Sequence, residues 1–172
     1  MRPLLHTYLD DHYAGAGAGV ALAHRMARNN QGTPWHRALL SIAEQIEADQ
    51  TTLETVRARL SVDGGWAKRA MAMVGERLAR LKPNGQLTGY SPLSRVIEAE
   101  SLMAGVAAKQ RLCASLERSV PAQAGLRDFD FAALAARADQ QLDQLRAFHE
   151  QAAEVAFGGS EVADMAPLPT AT

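Results

Sequence analysis

The sequence is poor in several features that define common protein classes. Cys113 is its one cysteine, so the chain forms no intrachain disulfide, and this fits a reducing compartment. Aromatic residues make up only 5% of the chain, and the apolar content is mainly Ala, Leu and Val, which suit closely packed helices. The 18 basic and 19 acidic residues give a net charge of −1, so the overall charge predicts neither nucleic-acid binding nor an acidic tail.

Targeting and catalytic signatures are also missing from the sequence. The longest run of small apolar residues, 14–23, is too short to span a bilayer, and the first residues lack the pattern of a signal peptide. We therefore expect a cytoplasmic protein. The sequence contains no catalytic triad, nucleotide-binding loop, zinc-finger spacing or haem motif, so it does not identify the chain as an enzyme.

Apolar residues recur three and four residues apart in four long segments, and this period predicts amphipathic helices. Each helix would be roughly 26 to 30 residues long, or about 40 Å. A shorter amphipathic segment, 66–81, lies between the second and third helices. The pattern predicts an all-α domain over residues 1–159, an up-down four-helix bundle with a short extra helix in the crossover. Residues 160–172 have no periodicity and are predicted to be disordered. The four long segments are 3–28, 34–62, 92–120 and 129–157.

The first predicted helix contains an unusual alternation of alanine and glycine over residues 14–19. Each glycine inside a helix costs about 1 kcal/mol relative to alanine, so the run needs a compensating role. A phosphate-binding loop would require a following Gly-Lys-Ser/Thr, which is absent. The run instead favours close approach of another helix, either within the chain or across the two-fold axis of a homodimer.

Short links join the first two helices and the last two, while residues 63–91 separate the two pairs. Over residues 3–157 this order resembles the ferritin-like superfamily, and it is also similar to a small bacterial family with the same helix pattern. The resemblance implies a four-helix bundle that can hold metal ligands in its core. Di-iron members use a Glu-x-x-His motif on two helices. None of the five histidines here has a glutamate three residues earlier, so the di-iron centre is not predicted.

Four polar residues occupy positions within the apolar stripes, one on each long helix. They are two imidazoles and two carboxylates, and such side chains are good ligands for Fe, Mn or Zn. We therefore predict that they point inward and bind a single transition metal. The other interpretation is a buried histidine–acid layer that fixes the helix register without a metal. The residues are His12, Asp49, Glu100 and His149.

Whether the four residues meet depends on where the crossover ends. If it returns the chain to the end where the second helix begins, Glu100 and His149 pair with each other and miss His12 and Asp49 by about 10 Å. If the short helix instead lies across the opposite end, all four residues converge. The sequence leaves both alternatives open.

A second functional hypothesis is a noncatalytic interaction or oligomerisation module that uses a basic amphipathic helix over residues 66–82. This segment could contact anionic lipid, nucleic acid or an acidic protein, although the chain as a whole has no strong nucleic-acid or membrane signal. The same charges would also suit the solvated face of a helix packed on the bundle. The basic residues are Lys68, Arg69, Arg77, Arg80 and Lys82, against one acid, Glu76.

Overall fold

The computed structural model describes residues 2–61 and 90–169. These residues form helices and no strand, so the all-α prediction is confirmed for the described part of the chain. None of the helices described is long and apolar enough to pass through a membrane. The short helix predicted at residues 66–81 lies outside the described residues. The four long helices are α1 (Arg2–Asn29), α2 (His36–Arg59), α3 (Pro92–Ser119) and α4 (Phe131–Ala153).

The start of α3 follows directly from its sequence. The Ser91 hydroxyl accepts a hydrogen bond from the backbone N–H of Ser94 at 3.1 Å, and Pro92 occupies the first turn, where its missing N–H has no cost. The helix ends at Ser119, before Pro121, as predicted. The 3-10 turns Val120–Ala122 and Ala124–Leu126 then lead to α4.

The start of α4 differs from the prediction by two residues. The carboxylate of Asp130 accepts a hydrogen bond from the backbone N–H of Ala133 at 2.9 Å, and this caps the helix. Asp128, the predicted cap, instead pairs with Arg59 of α2 at 3.0 Å. Asp128 and Asp130 are both suitable N-cap residues, so the sequence alone does not distinguish them. The ion pair of Asp128 with α2 leaves Asp130 as the cap.

Hydrogen bonds between helix ends define the directions of the helices. Arg95, near the start of α3, donates from Nε to Oδ1 of Asn30, just after α1, at 2.8 Å. Trp35, just before α2, donates from Nε1 to Oε1 of Gln151, near the end of α4, at 2.9 Å. The helices α2 and α3 therefore begin at the same end of the bundle, where α1 and α4 end; we call this the upper end. The end of α2 and the start of α3 therefore lie at opposite ends of the bundle, as in the first alternative above.

The buried apolar side chains form two clusters, one toward each end of the bundle. The upper cluster centres on Trp35 and Phe148, both 0% exposed, whose rings meet edge to face with centroids 5.2 Å apart. The lower cluster contains Leu9, Leu116 and Phe131. Large aromatic and aliphatic side chains thus fill both ends of the core.

Residues after α4 pack back on the upper cluster. A π-helical turn, Glu154–Gly158, is followed by the 3-10 turn Val162–Asp164. Leu168 is only 5% exposed within the upper cluster, and Gln144 Nε2 donates to the backbone oxygen of Pro169 at 2.7 Å. The sequence predicts disorder from residue 160, whereas residues 160–169 lie against the bundle. Val162 and Met165 also pack against this cluster, and three apolar residues are too few to establish a period.

Candidate functional site

Asp49 is buried, as its place in the α2 stripe predicts, and is 8% exposed. Its partners are cations. One carboxylate oxygen accepts a hydrogen bond from Lys109 of α3, and the other accepts one from Arg137 of α4. Asp49 therefore joins three helices through two ion pairs.

Glu100 and His149 contact each other, with Glu100 Oε1 and His149 Nε2 3.2 Å apart. The predicted acid–histidine contact is confirmed, but the prediction that Glu100 points inward is wrong, because its side chain is 59% exposed and that of His149 is 29% exposed. The buried side of α3 includes Glu98, Ala99 and Leu102. Successive helix positions turn by about 100°, so Glu100 falls outside this side.

His12 is half-buried and meets Tyr8 edge to face, with ring centroids 4.6 Å apart. Burial lowers the pKa of His12, and the negative charge of Asp11 opposes this shift only in part. The environment thus favours a neutral imidazole. His12 has neither Asp49 nor Glu100 as a recorded partner, so the predicted residues separate into one histidine, one buried acid and one surface pair.

Throughout residues 2–61 and 90–169, no group of three or more His, Cys, Asp or Glu side chains is placed to hold a metal ion. Two cations already neutralise the Asp49 carboxylate. Binding of Fe, Mn or Zn by His12, Asp49, Glu100 and His149 stays a prediction, and the described geometry adds no ligand set to support it.

The Asp49 ion pairs extend into a buried polar network that sequence periodicity did not indicate. Lys109 donates a second hydrogen bond to Oε1 of Gln141, and Gln141 Nε2 donates to Oε1 of Gln45 at 3.0 Å. Burial lowers the pKa of Lys109, and Asp49 opposes that shift. The partners lie 60 and 32 residues from Lys109 along the chain, so no local spacing could have identified them.

Two other buried acids also pair with arginines. Asp10 of α1 accepts from Arg57 of α2, with Oδ1 2.5 Å from Nη2. Near the upper end, Glu98 of α3 contacts Arg25 of α1 at 3.0 Å and accepts from the Tyr90 hydroxyl at 2.6 Å. Burial raises the pKa of Glu98, against the opposing effects of its Tyr90 and Arg25 partners. Each pair fixes two helices together at its own level of the bundle.

Below the Glu98 ion pair, α1 and α3 border an open groove of about 690 Å³. Small residues from both helices line it. A Cβ atom added at Gly15, Gly19 or Gly105 would meet no atom of the described chain within 4 Å, whereas one at Gly17 would lie 3.6 Å from Gln50. Close packing against the described helices therefore suits Gly17 but not Gly15 or Gly19. The small residues leave space instead of filling it.

The remaining lining of the groove is mainly apolar. Ile46, Leu53 and Val56 of α2 contribute to it, as do Leu112 of α3 and Phe131 of α4. These are buried core residues, at most 8% exposed. The groove therefore reaches the apolar core between α1 and α3.

A smaller part of the groove lining is polar. Asp49 and Lys109 line it together, and His12 lines it from α1. Burial raises the pKa of the Cys113 thiol, which also lies on the groove. A thiol with a raised pKa is a poor nucleophile at neutral pH. The arrangement suits binding better than covalent chemistry.

No protein-family model matches the chain, and neither a curated protein nor a solved structure shows significant similarity to it. The functional argument therefore depends on the geometry of this chain alone. The basic segment of the second hypothesis, residues 66–82, lies outside the described residues, so its anionic partner stays a prediction.

Proposed function

We propose that the protein binds an apolar small molecule in the groove between α1 and α3, without catalysing a reaction on it. The observation that carries this proposal is the groove of about 690 Å³ between two helices that present glycine and alanine to it. Small-molecule sites in proteins occupy about 300 to 1,000 Å³ and combine apolar walls with a few polar groups. The groove has this size and this lining.

The glycines give the proposal an energetic argument. Each interior glycine costs a helix about 1 kcal/mol relative to alanine, and Gly15, Gly19 and Gly105 have no contact with the described residues that requires glycine. A bound molecule would supply a reason for the small residues. Burial of each ligand methylene against the apolar lining would contribute about 0.8 kcal/mol.

We also infer a ferritin-like order of helix connections. The parallel directions of α2 and α3, together with the two helix pairs joined by short links, support this assignment. A cytoplasmic location stays a prediction, supported by the single cysteine, Cys113, which is free and buried. An experimental structure that includes residues 62–89 tests the connection order, and fractionation of cells tests the location.

Binding is best tested with N-phenyl-1-naphthylamine, a neutral probe whose fluorescence increases in apolar surroundings. We expect saturable binding to the unmodified protein. A double variant, Gly19→Leu with Gly105→Leu, places two large side chains in the groove and should weaken binding by at least about tenfold, the effect of roughly 1.4 kcal/mol. Ala136→Leu, at an exposed position of α4, is the matched control and should leave binding unchanged.

Failure of the unmodified protein to bind the probe, or equal binding by the double variant, would contradict the proposal.

The homodimer hypothesis gives a different result in the same samples. Light scattering would then show a dimer that the Gly19→Leu and Gly105→Leu substitutions dissociate. Metal binding is tested separately by elemental analysis of protein purified without a metal-affinity tag.

A further inference from the structure

The charged cluster on the groove has more positive than negative charge. Asp49 is its one carboxylate, and Lys109 and Arg137 both pair with it. The side chains of Asp49 and Lys109 are 6% and 18% exposed. The cluster thus has a formal charge of one positive unit, and Lys109 brings positive charge to the apolar groove, where water screens it poorly.

The cluster also has unused hydrogen-bond donors. An ammonium group has three N–H donors, and the contacts recorded among the described residues use two of those on Lys109, toward Asp49 and Gln141. The Nε atom of Arg137 is buried and has no hydrogen-bond partner among the described groups. Arg137 does not line the groove, whereas Lys109 does, so an acceptor on a bound molecule would use the third N–H of Lys109 and stabilise the cluster.

We propose that the ligand of the groove is a single-chain anionic amphiphile, such as a medium-chain alkyl carboxylate, whose head group Lys109 binds while its chain lies along the apolar lining. This inference rests on the proposed function and specifies the chemistry of the ligand. An anionic head supplies the acceptor and balances the excess charge. Apolar residues extend along the groove on both sides of Lys109, from Leu22 to Leu116.

The other charged groups on the groove do not favour a cationic head. Asp49 already accepts from two cations, so a third cation would meet their repulsion. Asp11 is exposed to solvent and is screened there. Burial lowers the pKa of its neighbour His12, which favours the neutral imidazole, so His12 does not attract a cationic head.

The test compares decanoate, decanol and decylamine, each below its critical micelle concentration, as competitors of N-phenyl-1-naphthylamine. These ligands share a chain and differ in the head group. A hydrogen bond to a charged group is stronger than one between neutral groups, so decanoate should bind at least about tenfold more tightly than decanol. In Lys109→Gln, decanoate and decanol should bind about equally well. Lys109→Arg keeps the positive charge and should retain the preference for decanoate.

The outcomes separate this inference from the proposed function. Equal binding of decanoate and decanol by the unmodified protein overturns the anionic head group but leaves the apolar groove intact. Tighter binding of decylamine, or a preference for decanoate that survives in Lys109→Gln, also overturns it. Absence of probe binding overturns both proposals. The comparison of the three ligands uses the unmodified protein, so it decides the question even where the Lys109→Gln variant does not fold.

A membrane surface presents the same anionic chemistry as a free acid, and vesicles distinguish the two sources. We expect vesicles of phosphatidylglycerol to compete no better than vesicles of neutral phosphatidylcholine at equal lipid concentration. Stronger competition by the anionic vesicles, with no effect of monomeric decanoate, would replace the free amphiphile with a lipid surface and overturn the inference.

Discussion

The same two helices, α1 and α3, behave differently at the upper end and in the section below it. At the upper end Arg25 and Glu98 join them by an ion pair at 3.0 Å, beside a core in which Trp35 is 0% exposed. Lower down, Gly15 on α1 and Gly105 on α3 have no atom of the described residues within 4 Å of an added Cβ. One helix pair therefore has a closed section and an open section.

This difference separates stability from binding along the bundle. Large buried side chains and paired charges at the upper end fix the positions of α1 and α3. The open section can then retain its space, because the helices are already held apart and aligned by contacts elsewhere. Substitutions at the two levels should consequently affect different properties, and this expectation can be tested residue by residue.

The largest effect is expected from Trp35→Ala at the closed section. Removal of a fully buried large aromatic side chain leaves a cavity and should lower the free energy of unfolding by about 4 kcal/mol. Urea denaturation followed by circular dichroism measures this change. Leu40→Ala, near the same end of α2 but at a residue 38% exposed, is the control and should change stability little. A loss for Trp35→Ala no larger than that of the control would contradict the account of the closed section.

The next largest effect is expected from Asp49→Asn, which removes the negative charge between Lys109 and Arg137 with almost no change in shape. Two cations would then face each other without a partner. Loss of one member of a buried ion pair costs about 3 kcal/mol, and the partial exposure of Arg137, 36%, should keep the loss at or below that figure. Urea denaturation again measures it.

A second substitution sharpens the Asp49 test. Lys109→Met in the Asp49→Asn background removes one of the two facing cations and should restore part of the lost stability. Asp139→Asn changes an exposed acid on α4 and serves as the control for loss of one negative charge. If Asp139→Asn destabilises the protein as much as Asp49→Asn does, the buried network has no special role.

Glycine substitutions in the open section should have a smaller effect of the opposite sign. Gly15→Ala, Gly19→Ala and Gly105→Ala should each raise the free energy of unfolding by up to about 1 kcal/mol. Alanine has a higher helix propensity than glycine, and its Cβ would displace no described neighbour. Gly125→Ala is the contrasting variant, since its Cβ would lie 3.2 Å from the backbone oxygen of Arg59. Thermal unfolding should show the first three stabilised and Gly125→Ala not stabilised. Destabilisation of the first three would mean that the groove is filled.

The smallest effect concerns His12 and pH. Burial lowers the pKa of His12 in the folded protein, so between the ordinary value of about 6.5 and that lowered pKa the unfolded chain binds the proton more readily. Stability should therefore fall as pH decreases below about 6.5. The His12→Gln variant should lose less stability over that interval. Urea titrations at several pH values compare the two proteins, and parallel curves would exclude His12 as the cause.

Much of the fold follows from local sequence signals. The apolar period identifies all four long helices, and Ser91 with Pro92 marks the start of α3 where the structure has it. These signals work because capping and amphipathic burial depend on residues close together in the chain. The contacts of the residues after α4 escaped prediction because the apolar residues that reach the core, Val162, Met165 and Leu168, are too few to establish a repeating pattern.

The candidate site was less predictable, because it depends on partners far apart in sequence. The stripe on α2 identified Asp49 as buried, yet its cationic partners lie 60 and 88 residues away. Glu100 follows the buried residue Ala99 on α3. Because each residue turns the helix by about 100°, an error of one position is enough to mistake a surface acid for a core acid. The glycine run favoured close packing, whereas Gly15 and Gly19 have no described neighbour within 4 Å of an added Cβ, because the placement of α1 relative to α3 depends on contacts elsewhere in the bundle.

The most direct test of the groove follows methyl resonances by NMR while N-phenyl-1-naphthylamine is added. The ring currents of a bound probe shift nearby methyl groups. We predict large shifts for Leu53 and Val56, which line the groove, and small ones for Leu39 and Ile42, which lie in the upper cluster. Saturable shifts confined to the groove methyl groups would support the account. Shifts confined to the upper cluster, or an unchanged spectrum at high probe concentration, would contradict it.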